Sequence, residues 1–301
     1  MNVIITGSSG QLGRALIKTK PSFISIFPSN RNSMNLEKKE SIYKFIEKIK
    51  PQWIINCAAY TNVDKAESNK ELANQINSEG PKEIAKVIKN IGGKLLQIST
   101  DFVFDGRNNI PYKTFNSKNP INYYGDTKAK GEDHVLNILQ ESAQVIIIRT
   151  SWLMGAEGSN FALKMIDLLK RKNEINVVCD QIGSPTSPMN LANACWETIL
   201  NAEVSKILQL KCPILHWTND GVASWYDVAF KIGQISNKIG LLDKCALVKP
   251  ILTKDYPTPA KRPQYSVLDT FSTQSILDIK NNHWTLDLER DLSEFQKHKS
   301  F

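Results

Sequence analysis

Asn2-Val-Ile-Ile-Thr-Gly-Ser-Ser-Gly-Gln-Leu-Gly13 decides how the rest of the chain reads. Residues 2–6 are an apolar run too short for a helix and closed by glycine, so they read as a buried strand. Gly7, Gly10 and Gly13 follow, and Arg14-Ala-Leu-Ile-Lys18 continues helically. Glycines allow a tight turn and a close backbone approach, while free N–H groups at a helix start attract a pyrophosphate. The spacing is Gly-x-x-Gly-x-x-Gly rather than Gly-x-Gly-x-x-Gly. Alone it is weak, but between an N-terminal strand and a helix it points to a bound dinucleotide, with Gln11 and Leu12 in the same loop. A plain strand-to-helix turn is the alternative.

The rhythm set there continues. Apolar runs at 23–27, 53–58, 94–100 and 145–149 read as strands, and 39–50, 67–90 and 124–140 read as helices. The helix at 67–90 is expected to be disturbed at Gly80-Pro81, because proline starts helices better than it continues them. Strands alternating with helices imply an α/β fold, a Rossmann-type doubly wound parallel sheet. Ligands in such sheets bind beyond the carboxyl ends of the strands, where Gly7, Ala58, Thr100 and Thr150 fall. The exit of the third strand, Ala58-Ala59-Tyr60, is small enough for a cofactor to press on the backbone. We therefore expect residues 1–150 to form an NADP-binding Rossmann domain, with 187–217 packing back onto it. Helices at 160–172, 191–201 and 224–238, with strands at 176–179 and 214–217, follow a less regular rhythm. Residues 151–301 are accordingly expected to be mainly a smaller C-terminal α+β substrate domain; a unit serving stability alone is the alternative.

Three features carry chemistry. After the second strand, an acid would bind a ribose 2′-hydroxyl, whereas a base would accommodate a 2′-phosphate. Here Pro28-Ser-Asn-Arg31 follows with no carboxylate before Glu37, which favours NADPH, leaves NADH possible, and makes Arg31 either a phosphate partner or a surface cation. Tyr124 and Lys128 are four apart at the start of a helix, so phenol and ammonium face one way. A nearby ammonium lowers a tyrosine pKa and makes the hydroxyl a usable proton donor; a solvated helix face is the competing reading. Finally, Tyr256-Pro-Thr-Pro-Ala-Lys-Arg-Pro263 is a proline-rich loop with two cations able to meet a phosphate.

Composition narrows the classes. A net charge of +8 suits an anionic partner, but the basic residues are scattered and no nucleic-acid reading module is present. The five cysteines, Cys57, Cys179, Cys195, Cys212 and Cys245, are odd in number and include no Cys-x-x-Cys pair, so neither a disulfide framework nor a zinc site is expected. No apolar run approaches the roughly 18 residues of a membrane span. With no leader pattern after Met1, a cytoplasmic protein without membrane or nucleic-acid partners is expected.

Taken together these residues resemble the extended short-chain dehydrogenase/reductases, and within them the dTDP-4-dehydrorhamnose reductase family. The similarity spans residues 2–270. It rests on the glycine turn, Asn56-Cys-Ala-Ala-Tyr-Thr-Asn-Val-Asp-Lys-Ala-Glu67, Ser99-Thr-Asp-Phe-Val-Phe-Asp105, Tyr124-Gly-Asp-Thr-Lys128, Arg149-Thr-Ser-Trp152, Asp180-Gln-Ile-Gly-Ser-Pro-Thr186 and the proline-rich loop. The resemblance implies NADPH-dependent reduction of the C4 ketone of dTDP-4-dehydro-L-rhamnose, a precursor step for cell-surface polysaccharide. It implies that Tyr124 donates a proton, that Lys128 holds the nicotinamide ribose and depresses the Tyr124 pKa, and that Thr100 hydrogen-bonds the substrate oxygen. Asn35 and Leu36 join the cofactor contacts; Asp101, Trp152, Val63 and Asp64 lie by the sugar, and Arg262 by the diphosphate. Some family members are magnesium-bridged dimers through glutamates. Ala15 and Met189-Asn190 stand where two of these would be, so no metal is expected and a monomer or weak dimer is. A different nucleotide-sugar reductase or epimerase, or a non-catalytic sugar-nucleotide-binding subunit, are the other readings; the missing acid after residue 27 weighs against an epimerase, and the Tyr124/Lys128 pair with Thr100 against a non-catalytic subunit.

Overall fold

A computed structural model describes residues 1–204, 207–210 and 213–299; Cys212 lies outside the described residues. Its first half runs β1 (Asn2–Thr6), α1 (Gln11–Thr19), β2 (Ser25–Pro28), α2 (Lys39–Ile49), β3 (Trp53–Asn56), α3 (Val63–Ala66), α4 (Lys70–Asn74), α5 (Gly80–Ile91), β4 (Lys94–Thr100), α6 (Tyr123–Leu139) and β5 (Val145–Thr150). The second half runs α7 (Phe161–Arg171), β6 (Glu174–Val178), β7 (Ile182–Gly183), α8 (Pro188–Val204), β8 (Ile214–His216), β9 (Ala223–Ser224), α9 (Trp225–Lys238), β10 (Leu247–Ile251), α10 (Phe271–Leu277) and α11 (Trp284–Lys299).

Among the described residues the main sheet has six strands in the order β2-β1-β3-β4-β5-β8, every pair parallel. This is the Rossmann-type doubly wound arrangement, and the order in which strands are added reverses between β1 and β3, where such sheets open a crevice for a ligand. The central strands β1, β3, β4 and β5 are mostly apolar because both faces are covered. Val3, Ile5, Trp53, Ile55, Ile146 and Ile148 face one way, against Leu12 and Leu16 of α1 and Leu191, Ala194 and Ile199 of α8. Their neighbours Ile4, Ile54, Leu95, Val145 and Ile147 face the other way, against α2, α5 and α6. β8 extends the sheet beyond β5, pairing Ile147 with Ile214 and Arg149 with His216.

A second apolar cluster lies outside this sheet, where Ile166 and Leu169 of α7, Val228, Ala229 and Ile232 of α9, and Leu288 and Leu292 of α11 surround Ile175 and Val248. The parallel pair β6–β10 floors it, and a short antiparallel pair, β7–β9, sets Gly183 opposite Ala223.

The stretch 67–90 departs from a single helix. It is divided into α4, a wide turn of π-helix at Gln75–Glu79 and then α5, whose first turn holds Pro81. Proline has no N–H for the i→i−4 ladder, so the chain widens by one residue just before it. No helix among the described residues is long and apolar enough to cross a membrane.

Candidate active site

The glycine turn packs as tightly as its composition suggests. Gly7 has φ +61°, and a Cβ there would sit 2.9 Å from Cα of Ala58; a Cβ on Gly13 would meet the Gly7 carbonyl oxygen at 2.4 Å. The turn therefore abuts the exit of β3 and admits no side chain at either position. The N-cap of α1 is Gly10, with no side-chain cap and no acid in the first turn. Uncapped N–H groups and the positive end of the helix dipole make this a place for an anion.

Ser29 O accepts the Ser8 N–H at 3.0 Å, which ties the turn to the end of β2 and brings Arg31 close to it. Arg31 is not a free cation, because its guanidinium pairs with Glu37 while remaining mostly exposed. Asn35 accepts the Glu37 N–H at 2.9 Å through its side chain, and Leu36 is buried in the cluster beneath α5. The side chains of both are thus committed within the protein.

Beneath the ends of the central strands runs a buried polar chain. Thr6 Oγ1 donates to Asn56 Oδ1 (2.6 Å) and accepts the Ala58 N–H (3.1 Å), and Asn56 donates to Gln97 Oε1 (2.8 Å). Asn77, 1% exposed in the π-helical turn, grips the main chain of Tyr60 from both sides. It accepts the Tyr60 N–H at 2.8 Å, donates to the Tyr60 carbonyl at 3.1 Å, and donates to Thr127 Oγ1 at 3.1 Å. Asn77 thus joins the loop containing Ala58, Ala59 and Tyr60 to helix α6. Sequence reasoning missed it; the one available signal was the Gly80-Pro81 irregularity, since π-turns recur at functional sites.

Helix α6 begins at Asn122, whose side chain accepts the Gly125 N–H (2.8 Å) and donates to the Lys261 carbonyl (2.8 Å). Tyr124, in its first turn, has its ring edge-on to Phe102 (5.8 Å between centroids, 75°). Burial pushes the phenol up to about 12; the Thr100 hydroxyl lowers it and the Asp101 charge raises it. This reverses the expected direction. Lys128 contributes nothing to the Tyr124 shift because its ammonium, one turn further along, donates to the Ile98 carbonyl at 2.7 Å.

Lys128 is itself brought down to about 8 by burial, against the opposing charge of Glu132. Burial would raise the Glu132 carboxyl, but Arg149 on β5 holds it below the usual range with hydrogen bonds of 2.9 and 2.7 Å, helped by Lys118 and Ser99. Neither Glu132 nor Arg149 was singled out for its charge in the sequence.

Asp101 is 2% exposed and is pushed up to about 6 by burial, moderated by the Ser266 and Thr100 hydroxyls. Thr100 Oγ1 donates to its Oδ1 at 2.9 Å, while Oδ2 is buried without a protein partner. Arg262 is paired rather than free, with Nη2 on Asp64 Oδ2 at 2.7 Å and Nη1 on Oδ1 at 3.1 Å, and it draws the Asp64 carboxyl down. Val63 is next to this pair at the start of α3. The loop at 256–263 is thereby latched across the starts of α3 and α6. Trp152, past the end of β5, has φ +47° and lies face to face with Trp225, a residue the sequence did not mark. No group of metal-ligating side chains occurs among the described residues. Ala15 is buried, and the Asn190 amide is used internally, donating to Asn281 (2.9 Å) and Asp287 (3.0 Å) and accepting from Trp217 (2.7 Å).

A family model described as the RmlD substrate binding domain matches residues 1–297. The dTDP-4-dehydrorhamnose reductase of Aggregatibacter actinomycetemcomitans is 35% identical, covering 94% of this chain and 95% of that protein. The enzyme of the same name from Escherichia coli (strain K12) is 32% identical, with 98% of each covered. Among solved structures, a dTDP-4-dehydrorhamnose reductase from Bacillus anthracis in complex with NADP superposes with a TM-score of 0.86 at 35% identity, covering 97% of this chain and 99% of that one.

Proposed function

The chain belongs to the RmlD substrate binding domain family, and from that premise we propose that it reduces the C4 ketone of dTDP-4-dehydro-L-rhamnose to dTDP-L-rhamnose with NADPH. The observation that carries the reading is the gathering at the carboxyl end of β4 of Tyr124, edge-on to Phe102, Thr100, bonded to the buried Asp101 carboxylate, and the buried Lys128 ammonium on the Ile98 carbonyl.

The cofactor fits the cradle that Gly7 and Gly13 keep open and the uncapped start of α1. Residues 7–13 would hold its diphosphate, Arg31 and the turn around Asn35 its adenosine end, Ala58 to Tyr60 and Lys128 its nicotinamide end. When bound it supplies hydride to C4. Tyr124, protonated throughout the physiological range, transfers its proton to the oxygen becoming an alkoxide, and Thr100, turning its one hydroxyl proton away from Asp101 Oδ1, donates a hydrogen bond to the same oxygen. Asp101 Oδ2 offers an acceptor to a sugar hydroxyl. Arg262, already oriented by Asp64, meets the diphosphate. In this reading residues 1–150 with 187–217 serve the cofactor, and most of 151–301 serves the sugar. An absorbance assay of NADPH oxidation with a panel of 4-keto sugar nucleotides tests the proposal; no turnover with the thymidine substrate would sink it.

Arg31→Ala should lower kcat/KM with NADPH by roughly 10–100-fold, the worth of hydrogen bonds to a charged group. An exposed pair such as Arg31–Glu37 is worth only about 0–1 kcal/mol, so a 2′-phosphate can displace the carboxylate. Values with NADH should hardly change; equal preference for both cofactors in the wild type would remove the argument.

pH should act through Lys128 and Asp101. Lys128 is charged below about 8, so the NADPH Kd should rise as pH passes upward through that value. Lys128→Met should abolish this limb. Asp101 is charged above about 6, and a second, acidic limb should appear in kcat/KM for the sugar nucleotide but not in the NADPH Kd. Titrating cofactor fluorescence from acid to alkaline pH separates the two.

We also propose that the protein acts without a bridging metal, as a monomer or weak dimer, because the Asn190 amide is spent on its own chain. Light scattering should give one mass in EDTA and in magnesium; a dimer dissolved by EDTA would contradict this.

A further inference from the structure

We propose that Trp225 is a positioning residue for the reduction, acting by fixing the indole of Trp152, which would line the sugar side of the site. The proposal rests on the function argued above. The two indoles are stacked 3.6 Å apart at 8°, and Phe161 tilts against Trp225 at 4.6 Å. Phe161 and Trp225 are the first residues of α7 and α9, so two helix starts hold the stack from behind.

Three observations show that Trp152 needs holding. Its φ of +47° is in the left-handed region, an expensive choice for an aromatic residue that persists only where the surroundings over-determine it. Its main chain is pinned through Thr186, whose N–H donates to the Trp152 carbonyl at 3.1 Å and whose carbonyl accepts the Met154 N–H at 3.0 Å. Its indole passes so close to Gly183 that a Cβ there would lie 2.6 Å from Cε2 and 2.9 Å from Nε1.

The short β7–β9 pair explains how both supports arrive together. Gly183 on β7 is in register with Ala223 on β9, two residues before Trp225, so one ladder delivers both contacts to the same ring. Trp225 is in turn fixed by a capping box, in which Ser224 Oγ accepts the Asp227 N–H (3.1 Å) and Asp227 Oδ2 accepts the Ser224 N–H (2.8 Å). On the other side, Asn160, the cap of α7, donates to Gln11 Oε1 at 3.0 Å, which connects the stack to the cofactor turn. A flat, rigid apolar wall is suited to the C–H face of a deoxysugar, and its value depends on orientation rather than area.

The test uses Trp225→Leu and Trp225→Phe in the full-length protein. Trp225→Leu should lower kcat/KM for the sugar nucleotide by about 10–100-fold with the NADPH Kd unchanged, the pattern of a misplaced substrate rather than a loosened fold. Trp225→Phe, which keeps a stacking ring, should recover most of the loss. The coupled near-ultraviolet circular dichroism of the stacked indoles should vanish equally in Trp225→Phe and Trp152→Phe. Turnover by Trp225→Leu within about twofold of wild type, or a loss shared equally by the NADPH Kd, would overturn the positioning role. A wild type that reduces none of the sugar nucleotides would instead overturn the proposed reaction, and failure of the paired dichroism change would then overturn the stack independently.

Discussion

Tyr124→Phe should lower kcat by about 10²–10⁴-fold, the usual worth of a positioned general acid, or roughly 3–5 kcal/mol of barrier, and leave both ligand affinities nearly intact. The substitution removes one oxygen and keeps the ring, whose edge contact with Phe102 is unaffected. Thr100 retains its bonds to Asp101 Oδ1 and to the Phe102 N–H, so its own position survives. Because burial holds the phenol near 12, wild-type turnover should show no alkaline limb from Tyr124 itself. Single-turnover measurement of NADPH oxidation, with Kd values taken separately, decides the matter. If the variant keeps most of its turnover, the proton comes from Thr100 or water and Tyr124 is only a packing residue.

Arg149→Met should be the most damaging single change for stability, costing about 3–5 kcal/mol, because it leaves a charge buried without its main partner. Glu132 is 0% exposed and Arg149 1%, and besides Arg149 the carboxylate has Ser99 and, at 3.5 Å, Lys118. Against a total stability of about 5–15 kcal/mol this is a large share. The double variant Glu132→Leu/Arg149→Leu should be milder than Arg149→Met, since it leaves no unpaired charge. The folded Glu132 pKa is depressed, so the contribution of the pair is present above the unfolded carboxyl value and is lost as pH falls through the folded one. Urea unfolding at neutral and acid pH reads both effects. A loss below about 1 kcal/mol would mean that water reaches the pair.

What could be read in advance follows the range of the interactions. The glycine turn, the apolar strands and the Tyr124/Lys128 spacing are local patterns, and each recurs in the structure near its expected place. The Tyr124 pKa was misjudged because an i,i+4 spacing sets direction along a helix but not depth; depth placed Lys128 on the Ile98 carbonyl. Arg31 and Arg262 were recognisable as cations, yet their carboxylate partners were not. Arg262 and Asp64 are 198 residues apart in the chain, and only the folded loop brings them together. Asn77 had only the nearby Gly80-Pro81 irregularity to mark it, and Trp225 has no local signature. Strand β10 and helices α10 and α11 went unread because Lys249-Pro250 interrupts the first and charged residues dilute the apolar pattern of the last.

The placement of β8 bears on how the chain is made. The sixth strand and the covering helix α8 come from beyond residue 187, and α8 also anchors Trp53 through Glu203 at 2.8 Å. A nascent chain that has emerged only as far as Thr150 therefore carries β5 as an open edge, and a sheet face that α1 alone half covers. Unpaired parallel edges and bare apolar faces are the surfaces on which partly synthesised chains associate wrongly. The six-stranded sheet is thus complete, and its second face covered, only once nearly three-quarters of the sequence, through β8, has been made.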